Sequence, residues 1–211
     1  MPSAFDDRER AAINARLVSA ALDALRRGGI GAASVADLAS AAAIAKGSFY
    51  SFYASKEELF MEALESIEGE YRAIFEAAAE GEDPPAERLR MTFRAAFDRI
   101  RDDPAVRSID ASTMERLVRA LPPERVRRHV AHDAAEMTRI SALWRAAGLL
   151  RADAGDEELA GAGYAVFGVS MSLASLPEAL RESTVDVMVR GLALALTEGG
   201  TMASEGRRGK R

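Results

Sequence analysis

The 211-residue chain contains no cysteine. Disulfides and thiolate metal sites are thereby excluded, and a reducing, cytoplasmic setting is expected. Histidine is almost as scarce, with only His129 and His132. They stand i, i+3 with Asp133 beside them, a spacing that can hold a metal on a helix. No third ligand is evident, so they read as a surface pair, and no metal or other cofactor is expected. Met1 to Arg10 carries five charges and no apolar stretch, so it does not read as a secretory signal. Leu159 to Leu176 carries no charged residue, a length that suggests a membrane span. However, it holds Gly161, Gly163, Gly168, Ser170, Ser172 and Ser175 and has no basic flanks. It reads as a buried, closely packed helix, and no membrane partner is expected. Nucleophile–base pairings, phosphate-cradling glycine loops and paired carboxylate sites are also missing, so no catalytic residue is assigned and an enzyme is not expected.

What is present is 48% hydrophobic and 29% charged, the composition of a soluble globular chain. The net charge of −5 argues against a protein that coats nucleic acid. Its distribution says more. Residues 1–60 are neutral, with seven basic and seven acidic side chains, and Arg207, Arg208, Lys210 and Arg211 add four positive charges at the end. Residues 61–206 therefore carry −9. A neutral N-terminal module is joined to an acidic body, and the last residues read as a flexible basic tail.

Helical periodicity runs through almost every segment, and strand-like alternation is absent, so an all-α fold is expected. Ile13, Leu17, Ala21 and Leu25 share a face of a first helix from about Asp7 to Arg27, stopped by Gly28-Gly29. Ser34 caps a short second helix with Asp37 three residues on, a capping-box spacing. After Ala41-Ala42-Ala43-Ile44 comes a third short helix through Lys46 to about Phe52. Ser55, with Glu58 three on, caps a long fourth helix to about Ala79, roughly 36 Å at ~1.5 Å per residue. Further helices are expected at Leu89–Ile100, about Ala105–Leu121, Val126–Ala147, about Asp156–Leu176 and Glu182–Thr197.

Three short helices in the first 55 residues, the last two joined by a tight turn, are the minimum for a helix-turn-helix. Leu38, Ile44, Phe49 and Phe52 can form one small core with Ile13, Leu17 and Leu25. That leaves Lys46, Gly47, Ser48, Tyr50 and Ser51 on the open face of the third helix. Ala33-Ser34-Val35-Ala36-Asp37-Leu38-Ala39, Ala43-Ile44-Ala45-Lys46-Gly47-Ser48-Phe49-Tyr50 and Phe52-Tyr53-Ala54-Ser55-Lys56-Glu57-Glu58-Leu59 together resemble the DNA-binding domain of TetR/AcrR-family regulators. The resemblance covers roughly residues 8–60; beyond that only the helical architecture matches.

The resemblance implies roles. Ala45, Lys46, Ser48, Tyr50 and Ser51 would lie at or near the major groove of operator DNA, and Gly47 would let the backbone approach it. Lys56 would reach a phosphate, and the N-terminus of the second helix at Ser34 and Val35 would offer N–H groups to another. The cation choice supports this independently. Of 28 basic residues only Lys46, Lys56 and Lys210 are lysine, yet both cations between positions 28 and 71 are lysine; a flexible point charge suits a phosphate. Two positions depart from the family pattern: Ala43 stands where a turn glycine is usual and Ala45 where a serine caps the third helix. Each loses about 1 kcal/mol of local stability.

The expected organisation is a helix-turn-helix domain at 1–55, a helical sensing and dimerisation domain at 56–200 and the tail at 201–211. The last two helices are expected to pair with their twofold mates, using the small-residue stretch 159–176 beside Val185, Met188, Val189, Leu192 and Leu196. An apolar effector is expected among Phe93, Phe97, Met114, Met137, Trp144, Tyr164 and Phe167, residues that plain core packing would equally explain. The expected function is a dimeric repressor of a palindromic operator, released by that ligand. The alternatives are a regulator without a ligand, an activator, or a small all-α ligand carrier or enzyme.

Overall fold

The structure, a computed structural model, describes residues 5–198 apart from residue 110. Among these residues there are ten α-helices, three single turns of 3₁₀ helix and no strand. The helices are α1 (Asp7–Gly28), α2 (Val35–Ala41), α3 (Lys46–Phe49), α4 (Lys56–Ala77), α5 (Pro85–Asp102), α6 (Pro104–Arg107), α7 (Ala111–Ala120), α8 (Pro123–Ala146), α9 (Asp156–Ser172) and α10 (Glu178–Thr197). The basic tail at 207–211 lies outside the described residues.

The starts follow from local chemistry. Asp6 and Glu9 form a reciprocal capping box at α1, and Ser34 with Asp37 does the same at α2. Ser55 accepts the Glu58 N–H at α4, and proline opens α5, α6 and α8, where its missing N–H costs nothing. Gly29 ends α1 with a φ of 78°.

α5 is the central strut, packed by α4, α9 and α10, while α1 lies against α4 and α6, and α8 against α4 and α9. Phe93, Phe97 and Trp144 are fully buried. Phe75, Phe93 and Trp144 meet edge to face or tilted at 5.9–6.4 Å between ring centres, a favourable aromatic geometry. The Trp144 indole N–H donates to the Phe75 carbonyl at 2.7 Å, fastening α8 to the end of α4.

Several local expectations are corrected. The helix foreseen at 105–121 is two, because the Ser108 hydroxyl bonds back to the Ala105 carbonyl and the chain turns to bury Val106 and Ile109. α3 stops at Phe49, and Ser51 and Phe52 continue only as turns. α10 begins at Glu178, directly after Pro177, earlier than the expected Glu182. α9 is not enclosed: Leu159, Ala162 and Val166 are buried, but Tyr164 is 78% exposed and Phe167 is exposed too. Val185, Val189 and Leu196 pack inside the chain, so the open face of α10 is instead Val187, Gly191 and Leu194. His129 is buried against α4 rather than on the surface, whereas His132 is exposed. None of the helices is long and apolar enough to cross a membrane among the described residues.

Candidate nucleic-acid interface

Leu38 and Ala39 from α2, Ala42 just after it and Phe49 from α3 are buried with Ile13, Leu17, Ala21 and Leu25 of α1. The turn between α2 and α3 closes by bonds from Ala43 N–H to Ser40 and from Ile44 N–H to Ala39. Ala43 takes a φ of 58°, the one left-handed non-glycine among the described residues. Ala45 caps α3 with no side-chain hydrogen bond. Both departures from the family pattern are therefore present in the geometry, and α3 is held by Phe49 rather than by its own cap.

With Phe49 buried, the rest of α3 faces outward. Ala45, Lys46, Gly47, Tyr50 and Ser51 are exposed, Tyr50 to 55%, and Ser48 is half-buried. A Cβ added at Gly47 would meet nothing within 4 Å, so glycine is not needed for packing within the chain. Ser34 is exposed and Val35 half-buried. The Ser34 N–H and hydroxyl both donate to Asp37, and these bonds hold the Asp37 carboxyl below its ordinary range. Two donors of the first turn, at Val35 and Ala36, have no acceptor inside the helix. Ser34, Val35 and Tyr50 share an open groove with Ala54, Ser55, Lys56 and Glu57.

Lys56 is half-buried, and its ammonium donates to the carbonyls of Ile30 at 2.9 Å and Ala33 at 3.2 Å. It ties the start of α4 to the loop ahead of α2, with one of its three N–H donors left over.

Three supports were not legible in the sequence. Arg16 donates from Nε to the Ala42 carbonyl and so braces the turn. Arg10 stacks over Phe52 at 4.7 Å and donates to the Ser51 carbonyl, bracing the chain after α3. Asn14, the chain's one asparagine, accepts from the Tyr53 hydroxyl and donates to Glu62. Burial and then Glu62 push the Tyr53 hydroxyl far above its usual range, so it remains a donor. A polar asparagine between Ile13 and Leu17 was the signal available for this network.

The seven residues foreseen around an effector are not all brought together. Phe93 and Trp144 meet around Phe75, Phe97 is buried in the same core, Met114 and Met137 are half-buried against that core, and Tyr164 and Phe167 face outward on α9.

Comparison with known proteins agrees with this geometry. The family described as bacterial regulatory proteins, tetR family, matches residues 17–63, from within α1 through the first turns of α4. A structure from Mesorhizobium loti, assigned to the tetR family of transcriptional regulators, aligns with a TM-score of 0.62 at 18% identity over 88% of this chain and 96% of that one. The fatty acid degradation regulator FadR from Bacillus halodurans aligns with a TM-score of 0.60 at 13% identity, over 90% and 96%. SmeT, the repressor of the Stenotrophomonas maltophilia multidrug efflux pump SmeDEF, aligns at 0.58 and 19% identity, over 90% and 94%. At these identities the likeness is one of fold. No curated protein sequence matches the chain.

Proposed function

We propose that this chain, a member of the tetR family of bacterial regulatory proteins by its N-terminal domain and its all-α fold, is a dimeric repressor that leaves its operator when an apolar ligand binds. The observation that carries the DNA reading is the outward face of α3 and the turn after it, where Lys46, Gly47, Tyr50 and Ser51 stand open around a wholly buried Phe49. Tyr50 and Ser48 read base edges, Lys46 and the spare donor of Lys56 meet phosphates, and the Val35 and Ala36 N–H groups meet another.

Dimerisation through α9 and α10 is supported by their exposed apolar positions. Tyr164, Phe167, Val187 and Leu194 are open, and a Cβ at Gly161, Gly163, Gly168 or Gly191 would meet nothing within 4 Å. Val187, Gly191 and Leu194 fall at i, i+4, i+7, one helical stripe, and a second copy of the same surface would cover it isologously. Such a dimer presents two α3 helices to successive major grooves, roughly 34 Å apart.

The effector reading moves inward from the original seven residues. Phe75, Phe93, Phe97 and Trp144 provide apolar wall. SmeT is named as a repressor of an efflux pump and FadR as a regulator of fatty acid degradation, and this reading extends that kind of regulation to the present chain. Selection of binding sites from random duplex DNA tests it. A two-fold sequence with half-sites about one helical turn apart is expected, and recovery of no preferred sequence overturns it.

A further inference from the structure

Glu68 of α4 meets His129 and Asp133 of α8, and ligand atoms of all three lie within 4.8 Å of one another. The imidazole Nε2 stands 3.7 Å from Glu68 Oε1 and 3.5 Å from Asp133 Oδ2. These separations are long for hydrogen bonds. They are close to the edge of a tetrahedron whose corners lie ~2.05 Å from a zinc ion, about 3.4 Å.

The other ring nitrogen is already committed. Nδ1 lies 3.2 Å from Glu65 Oε1, and Arg125 grips that carboxylate with two hydrogen bonds of 2.7 Å. An Nδ1–H donating to a fixed carboxylate sets the tautomer and leaves the Nε2 lone pair facing the site, the support that metal-ligating imidazoles have. The ring itself is buried. A second, independent observation concerns the acids. The second oxygen of each carboxylate, Glu68 Oε2 and Asp133 Oδ1, is occluded and makes no hydrogen bond, although such oxygens ordinarily find donors; these are not the oxygens nearest the imidazole, and the Asp133 side chain as a whole is 42% exposed. Arg72 approaches Asp133 Oδ1 only to 3.6 Å. One oxygen of each carboxylate thus converges on the Nε2 lone pair while the other oxygen lacks a donor.

We propose that Glu68, His129 and Asp133 bind a divalent transition-metal ion that clamps α4 to α8. One imidazole and two carboxylates without sulfur suit Zn²⁺, Co²⁺ or Mn²⁺ rather than Cu(I), and Mg²⁺ favours all-oxygen octahedral surroundings. Three protein ligands leave a fourth position for water. The clamp has a consequence for the DNA-binding end. α4 starts at Lys56, which holds the loop ahead of α2, so an ion at Glu68 fixes the helix on which that end rests. The effect on DNA rests on the regulatory reading above; the binding of the ion does not.

The experiment uses the full chain stripped by a chelator and titrated with Zn²⁺ by calorimetry and with Co²⁺ by visible absorption. One ion per chain is expected. Glu68→Gln and Asp133→Asn, near-isosteric changes on two different helices, should each weaken Zn²⁺ at least tenfold with circular dichroism unchanged. His132→Ala, which removes the only other imidazole, should leave the affinity as it was. Absence of saturable Zn²⁺ binding overturns the site. So does binding that survives in both carboxylate variants or is lost in His132→Ala. A parallel titration of a selected operator separates the two readings: failure to bind DNA at any metal concentration overturns the regulator, while the calorimetric result still decides the site.

Discussion

The ammonium of Lys56 donates to the carbonyl oxygen of Ile30 at 2.9 Å, across 26 residues of chain. A lysine that the family resemblance assigns to a DNA phosphate is thus also a brace between α4 and the loop ahead of α2. Lys56→Ala should lower stability by about 1–2 kcal/mol, since charge-assisted bonds to two carbonyls are lost at a half-buried site. It should also reduce the salt slope of operator binding by about 2 per dimer, one phosphate from each subunit. Chemical denaturation and operator titration at several salt concentrations measure the two effects separately. An unchanged denaturation midpoint would remove the brace, and an unchanged slope would remove the phosphate.

The turn ahead of α3 is under-built. Ala43 has a φ of 58° and Ala45 has no side chain with which to cap. Both are exposed, so substitutions there disturb no packing. Ala43→Gly should stabilise by about 0.5–1 kcal/mol by relieving the left-handed strain, less the extra freedom glycine has when unfolded. Ala45→Ser should stabilise by about 1 kcal/mol through a bond to an N–H of α3. Denaturation midpoints that fall in either variant would contradict the geometry at the turn.

Gly47 separates folding from DNA binding. A methyl group there meets nothing in the chain, and alanine favours a helix by about 1 kcal/mol over glycine. Gly47→Ala should melt at the same temperature or higher, yet bind operator at least tenfold more weakly because the methyl stands between backbone and DNA. Parent-like operator affinity in this variant would place the DNA elsewhere.

The dimer reading makes its own demand. Gly168→Arg and Val187→Glu place a charge on the open faces of α9 and α10 twice per dimer. Each should give a folded monomer by light scattering, with helicity by circular dichroism unchanged. If both remain dimeric, the interface lies on another face.

Asp103 supplies a pH test. Its burial alone would raise the carboxyl, but hydrogen bonds from Arg99 and from the Ala105 N–H, with Arg99 and Arg26 nearby, hold it below its ordinary value. A carboxyl depressed on folding adds stability that is present above its unfolded value of 3.8 and is lost as pH falls through the lower folded value. Asp103→Asn should therefore cost about 1–3 kcal/mol at neutral pH. The gap to the parent should narrow as the pH is lowered below about 4. A gap independent of pH in denaturation experiments would show that the charge is not what Asp103 contributes.

How far the sequence could be read depended on the range of each interaction. The caps at Ser34 and Ser55, the stop at Gly28-Gly29 and the strain at Ala43 involve partners within a few residues, and all four are visible in the structure where the sequence puts them. The outward set on α3 was equally legible, because burying Phe49 leaves its neighbours only one direction. The split of 105–121 was missed, since the bond from Ser108 to Ala105 competes locally with helix continuation and burial of Ile109 decides the outcome.

By itself the sequence determined an all-α chain, a helix-turn-helix at its start and the residues that helix-turn-helix exposes. These follow from periodicity, capping and turn chemistry, which act over one or two turns of helix. Only the tertiary structure decided that Trp144 closes on Phe75 from 69 residues away, that His129 is buried beside Glu65 and Glu68, and that Val187 rather than Val189 faces outward on α10. Which face of a helix is buried, and which carboxylate meets which imidazole, depends on how whole helices cross. Helical spacing alone leaves those crossings undetermined, because it marks the apolar stripe of a helix but not the neighbour or the angle at which that stripe packs.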